Sequence, residues 1–156
     1  KLHADRLGHG TRIYEVDEVP EEKHPEQFVR QLTEYVADRR ITLEVCVTSN
    51  LQTTPNFKSV ADHPLGRMVK DRLSVTLCTD NRLVSRTTVS RELDITAQAF
   101  QFSPMELRNI ILHGFKRSFF PGSYLEKRSY VRQVIDYYDK TVAAHGVPSA
   151  QRGDEA

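Results

Sequence analysis

His9 stands between two glycines in the run Asp5-Arg6-Leu7-Gly8-His9-Gly10. An imidazole with no side chain on either neighbour can be approached closely by backbone or ligand. It also titrates near neutrality, where proton transfer is most useful. Position alone leaves a structural histidine as the commoner reading. Asp80 ends the run Val75-Thr76-Leu77-Cys78-Thr79 and is followed by Asn81. A carboxylate at the rim of a buried strand needs a cation, a metal or hydrogen-bond donors to stay ionised. Two roles are open to Asp80, metal ligand and helix N-cap. Thr87 and Thr88 can cap the next helix in its place, which favours the metal. Ser49 follows a third apolar run but lacks the G-x-S-x-G elbow of a hydrolase nucleophile. Local hydrogen bonding or pocket lining suits it.

Three segments must position these residues, and each reads as a strand: Asp5–Gly10, Ile41–Val47 and Ser74–Cys78. Their apolarity reads as continuous, which suits parallel strands covered on both faces. His9, Ser49 and Asp80-Asn81 then fall just past the carboxyl ends, where parallel α/β folds collect reacting groups. Helices fill the gaps. Pro25 opens one, with Phe28, Val29, Leu32, Tyr35 and Val36 as its stripe. Another starts near Pro64, carrying Leu65, Met68 and Val69, with Leu73 at the turn into the strand. Three more follow the last strand: Val89, Leu93, Ala97 and Phe100 form one stripe, Ser103-Pro104-Met105-Glu106 is a capping box, and Gly122 to Ala144 is the final helix. That helix should bury Val131, Val134, Ile135, Tyr138 and Val142, and Gly146 should stop it.

Ser49 follows His9 by 40 residues and Asp80 follows Ser49 by 31. A (β/α)8 barrel of about 250 residues spends about 31 on each unit. A doubly wound sheet gives the same local pattern, so periodicity does not choose between them. Three parallel strands with helices on one side leave a sheet face and an edge exposed, as in an unfinished barrel.

Composition excludes several other functions. A chain of 156 residues is one domain or part of one, and 38% hydrophobic with 28% charged residues is globular rather than disordered. Net charge is +1, so no broad field points to nucleic acid or anionic lipid. The basic pairs Lys116-Arg117 and Lys127-Arg128 lie among aromatics, but Glu126, Asp136 and Asp139 dilute them. No apolar run approaches the roughly 20 residues of a membrane span. Cys46 and Cys78 make no disulfide framework and read as packing residues inside strands, consistent with a reducing cytoplasm. His24 and His63 each precede a proline at a helix start and read as capping or solvent residues. His113 and His145 lie near helix C-termini, where positive charge is favoured. The chain opens at Lys1 without Met or signal peptide, so its start reads as cut. Residues 147–156 form a polar tail, expected to be a disordered natural end beyond a domain spanning 1–146.

Four segments carry a family resemblance. Asp5-Arg6-Leu7-Gly8-His9-Gly10 resembles the D-R-[IL]-G-H-G strand of the adenosine deaminase family. Leu43-Glu44-Val45-Cys46-Val47-Thr48-Ser49-Asn50 resembles its L-E-x-C-P-T-S-N strand, and His63-Pro64-Leu65 its H-P-[IL] helix entry. Val75-Thr76-Leu77-Cys78-Thr79-Asp80-Asn81 resembles its V-[ST]-[LI]-x-T-D-D strand. Each motif alone is short. Four in this order and spacing are specific, and the likeness runs from residue 5 to about residue 120.

The resemblance implies the C-terminal part of a (β/α)8 barrel, its last three strands with their helices. It further implies a zinc enzyme of purine salvage that replaces a purine 6-amino group with oxygen from water. On this likeness Asp80 matches the zinc-binding aspartate, and His9 the histidine that contacts and orients the attacking water. Asn81 takes the place of a second aspartate that hydrogen-bonds purine N7. Asparagine can still donate an N–H to that nitrogen but cannot ionise, so the preferred 6-aminopurine can differ. The family's H-x-H pair and H-A-x-E segment are absent. His3-Ala4-Asp5-Arg6 begins like the latter but has arginine where glutamate is needed. Three zinc-ligand histidines and the ring-protonating glutamate would then come from a missing N-terminal part of the barrel. The chain alone is expected to be inactive. The implied partners are a purine nucleoside and that missing part, with no nucleic acid and no membrane. A truncated, non-catalytic α/β module, binding a partner or a second copy at its open strand edge, is the alternative.

Overall fold

A computed structural model describes residues 4–146, so the expected tail lies outside the described residues. Three short strands, β1 (Arg6–Gly8), β2 (Thr42–Val45) and β3 (Val75–Leu77), pair in parallel in the order β1-β2-β3. They form at the three expected places. Leu7 pairs with Leu43 and Leu43 with Val75, while Gly8 pairs with Glu44 and Glu44 with Thr76. Side chains alternate across a strand, so this register sorts the sheet into two unlike faces. Leu7, Leu43, Val45, Val75 and Leu77 share the apolar one. Arg6, Thr42, Glu44 and Thr76 share the other. The apolarity read as continuous is therefore alternating, but Thr42 (0% exposed) and Thr76 (5%) are buried on the polar face too, so the expected cover on both faces is present at β2 and β3.

Each face is satisfied in its own way. Leu43, Val45, Val75 and Leu77 pack with Val36, Leu65, Met68 and Leu73 into the core. On the polar face the Arg6 guanidinium donates to Glu44 Oε1 at 2.5 Å and to the Arg117 carbonyl at 2.8 Å. Thr42 and Ser74 share a hydroxyl hydrogen bond of 2.8 Å. β1 and β3 each keep one edge unpaired among the described residues.

The connecting helices follow their local signals. α1 (Pro25–Asp38) has Pro25 in its first turn, where a missing N–H costs nothing. Its buried face is Val29, Thr33 and Val36, whereas Phe28, Leu32 and Tyr35 remain exposed, so the expected stripe is wider than the face that meets the core. α2 (Val47–Thr53) begins at the last residue of the second expected strand, where the sequence carries no helix signal. α3 (Leu65–Lys70) buries Leu65 and Met68 as expected. Past β3 come a single turn, α4 (Arg82–Ser85), and α5 (Val89–Phe100), capped by the Thr88 hydroxyl. α5 turns Glu92 and Thr96 fully inward while Val89 is exposed, a face rotated from the expected stripe.

α6 (Pro104–Lys116) and α7 (Tyr124–Ala144) both begin with complete capping boxes, Ser103 with Glu106 and Ser123 with Glu126. Gly146 ends the last helix at φ +66, the left-handed geometry that favours glycine. The expected inward residues of α7 are only half-buried, and none is fully covered. α6 runs alongside β3. At Gly114 an added Cβ would sit 2.8 Å from Thr76 Oγ1, so only glycine allows this approach.

Candidate active site

The carboxyl ends of the strands gather the residues singled out by spacing. Backbone conformation marks two of them. Among the described residues, six other than glycine have positive φ: His9, Arg40, Arg72, Asp80, Arg86 and Gln101. Arg40 and Arg72 directly follow the C-caps of α1 and α3, and Arg86 and Gln101 are the C-caps of α4 and α5. Left-handed residues are ordinary there. His9 (φ 60) instead directly follows β1, and Asp80 (φ 53) lies three residues past the end of β3. Such a backbone costs about 1–2 kcal/mol for a residue with a Cβ. At both sites it swings the side chain off the strand direction. Gly10 continues the turn at φ +64, and an added Cβ would lie 3.1 Å from Leu43 Cδ2.

Both side chains are then tied to neighbouring residues of α2. Ser49 Oγ donates to Asp80 Oδ2 at 2.8 Å. Asn50 Nδ2 and His9 Nδ1 are 3.1 Å apart. Ser49 therefore hydrogen-bonds, but across 31 residues to another strand end rather than locally as expected. The bonds reach Asp80 and His9 because the chain leaves β2 at Val45 and Val47 already opens a helix, where the sequence pattern extends the strand to Val47.

The cause is remote in sequence. Glu92 of α5, 0% exposed, accepts the Thr48 backbone N–H at 3.0 Å, the Thr48 hydroxyl, and the Thr87 hydroxyl at 2.6 Å. A carboxylate on the first turn of α2 satisfies N–H groups that lack partners within the helix. Nothing in the sequence around Glu92, which lies between Arg91 and Leu93, marks it as the anchor of α2.

Asp80 is not the N-cap. Asn81 is, its Oδ1 accepting the Val84 N–H at 3.3 Å. That occupies the amide oxygen and leaves the Nδ2 donors for a ligand. Ser49 engages one Asp80 oxygen, so Oδ1 remains as a possible metal ligand. Among the described residues no three His, Cys, Asp or Glu side chains are placed to share a metal ion. The donor set therefore fits one ligand position of a metal centre and not a complete one.

His24 is exposed, as its solvent reading expected, whereas His63 and His113 depart in part from expectation. His63 is 2% exposed, so the solvent reading is corrected. Its Nδ1 accepts the Leu65 backbone N–H at 3.1 Å, the capping role, and its Nε2 lies 3.2 Å from Asn50 Oδ1. Phe57 packs against the ring at 5.2 Å between centroids. Burial lowers the His63 pKa from 6.5 to about 4. His113 lies near the C-terminus of α6, but burial lowers its pKa and its Nδ1 donates to the Val75 carbonyl at 3.2 Å, so it does not serve as the positive charge expected there. Cys46 and Cys78 each sit one residue past a strand rather than inside it. The neighbouring Cys78 thiol, and burial after it, push Cys46 up, while Cys46 pulls Cys78 down; Cys46 Sγ itself donates to the Glu44 carbonyl at 3.6 Å. A cavity of about 1140 Å3 opens at the opposite end of the strands among Arg40, Arg72, Ser74 and His113, and none of the site residues lines it.

With this geometry in place, similar proteins become informative. Residues 1–151 match the family model described as adenosine deaminase. The chain is 39% identical over 134 residues to adenosine deaminase of Mycobacterium avium, covering 85% of this chain and 36% of that protein. Adenosine deaminase 1 of Streptomyces coelicolor is 36% identical over 132 residues, covering 85% of this chain and 32% of the relative. The chain thus spans about a third of the length of these curated relatives. Among solved structures, adenine deaminase from Arthrobacter aurescens superposes with a TM-score of 0.67 at 22% identity, over 88% of this chain and 37% of that one. N6-methyl-AMP deaminase from Arabidopsis thaliana does so with a TM-score of 0.59 at 22% identity, over 71% of this chain and 32% of that one. These likenesses choose between the two architectures that periodicity left open: the three β/α units are part of a (β/α)8 barrel. Together with strand ends that carry His9, Asp80 and Asn81, they establish that the chain belongs to the adenosine deaminase family.

Proposed function

We propose that this chain is the C-terminal part of a zinc-dependent hydrolytic deaminase acting on adenosine or a related 6-aminopurine. The observation that carries the reading is the pairing of His9 and Asp80, two strand-end residues in left-handed backbone, with consecutive residues of α2. Water and a 6-aminopurine would give the 6-oxopurine and ammonia. Asp80 would hold the metal through Oδ1 while Ser49 keeps its other oxygen in place. When bound, zinc supplies the Lewis acidity that makes water a competent nucleophile at neutral pH. His9 orients the attacking water near C6. Asn81 donates an Nδ2 hydrogen to purine N7, its oxygen being held by the α4 turn. The rest of the metal set and the group that protonates the ring would come from the remainder of the barrel, so the chain by itself is inactive.

The test uses the protein with its barrel completed. His9→Ala and Asp80→Ala should each lower kcat/KM for adenosine at least about 100-fold. Asp80→Ala should also lower the bound zinc, measured by metal analysis. Unchanged turnover in both variants would overturn the assignments. The alternative, a non-catalytic module, draws support from the unpaired edges of β1 and β3. It predicts no deamination even with the barrel completed.

A further inference from the structure

A polar chain runs from α3 to His9, and its direction is set at one end by a group that can only donate. The Leu65 backbone N–H donates to His63 Nδ1 at 3.1 Å, so that nitrogen carries a lone pair. His63 is 2% exposed and stays neutral above about pH 4, so its single proton sits on Nε2. Nε2–H then donates to Asn50 Oδ1 at 3.2 Å. With its oxygen so engaged, Asn50 turns its NH2 towards His9, and Nδ2–H donates to His9 Nδ1 at 3.1 Å. Each link dictates the next, because an amide oxygen cannot donate and an amide nitrogen cannot accept. The final link leaves neutral His9 with its proton on Nε2.

We propose that Asn50 and His63 are positioning residues, which hold the His9 ring in one orientation and one tautomer so that it presents an Nε2–H donor to the reacting water. The proposal rests on the deaminase reading for the water and on the hydrogen-bond chain for the tautomer. It assigns His9 a specific part: the resting ring holds the attacking oxygen by donating to it. Asn50 is 5% exposed, so a competing bond from bulk water does not break the relay. Holding an imidazole through a buried partner is a common way of fixing its tautomer, and loss of such a partner costs about 10–100-fold in activity.

Asn50→Asp provides the test, because it is nearly isosteric and replaces the donor facing His9 with an acceptor. Ring nitrogen NMR of histidine-labelled protein, with the barrel completed and with or without zinc, reads the tautomer directly. Wild-type His9 should show a bare Nδ1 and a protonated Nε2. Asn50→Asp should place a proton on Nδ1, with kcat falling about 10–100-fold and KM changing less than about threefold. His63→Gln, whose amide can accept from Leu65 and donate to Asn50, should keep the wild-type ring signals. It also serves if the Asn50 variant fails to fold. A protonated Nδ1 in wild-type protein, or ring signals indifferent to Asn50→Asp, would overturn the proposal. So would His63→Gln if it alone produced the Nδ1–H form. The Nε2–H pattern in a completed barrel that deaminates no purine would refute the deaminase reading and leave the tautomer assignment standing.

Discussion

At the scale of single residues, the strand-end groups depend on buried side chains behind them. His63 has the clearest thermodynamic consequence. Its folded pKa is about 4 against an ordinary 6.5, so between those values the unfolded chain binds a proton that the folded one excludes. Stability from this group is complete above about pH 6.5 and is lost as pH falls towards 4. The slope is about 1.4 kcal/mol per pH unit. His113, also lowered by burial, acts in the same direction. Urea midpoints should therefore fall as pH drops through this window, and His63→Gln should flatten the curve. An unaltered pH dependence in that variant would show that His63 is not the group titrating.

Among the elements, α2 is the one on which the site turns. It is seven residues long, too short to persist by helix propensity alone. Its first turn is instead tied to Glu92 of α5, which accepts from one backbone N–H and two hydroxyls. Glu92→Ala would strand those donors in a dry environment, with an expected loss on the order of 3 kcal/mol. Because Ser49 and Asn50 ride on the same helix, the change should also loosen Asp80 and His9. Thermal unfolding measures the first effect and hydrogen exchange at the α2 amides the second. A variant of wild-type stability would mean that α2 is held by apolar packing of Val47 alone.

Across the whole molecule, three strands carry the site residues but leave two sheet edges open among the described residues. α1 shows a second apolar stripe, Phe28, Leu32 and Tyr35, that nothing in the described structure covers. Both features fit a chain that spans about a third of its relatives' length. On the proposed deaminase reading, Asp80 would contribute one carboxylate to a metal centre that needs about four ligands. The chain alone should therefore release no ammonia from adenosine, and addition of the remaining β/α units should bring turnover. Ammonia release by the isolated chain would refute this division of the site.

Much of this was legible locally. The three strand positions, the capping box at Ser103, the stop at Gly146 and the strand-end placement of His9 and Asp80 all follow from patterns a few residues long. Backbone geometry imposes those patterns directly, through the periods of helix and strand and the left-handed turns that glycine or short polar residues permit. Bonds between distant residues left no such trace. Asn50 meets His63 across 13 residues, His9 across 41, and Glu92 meets Thr48 across 44. Asn50 and His63 stand within the recognised motifs, yet nothing local indicates that one orients the other. Whether a strand stops at Val45 or at Val47 is decided by a carboxylate on a helix two elements beyond β3. Which buried polar groups meet depends on packing, because each must find a partner once water is excluded. The sequence by itself determined which residues could do the chemistry. Only the tertiary structure decided what holds them in place.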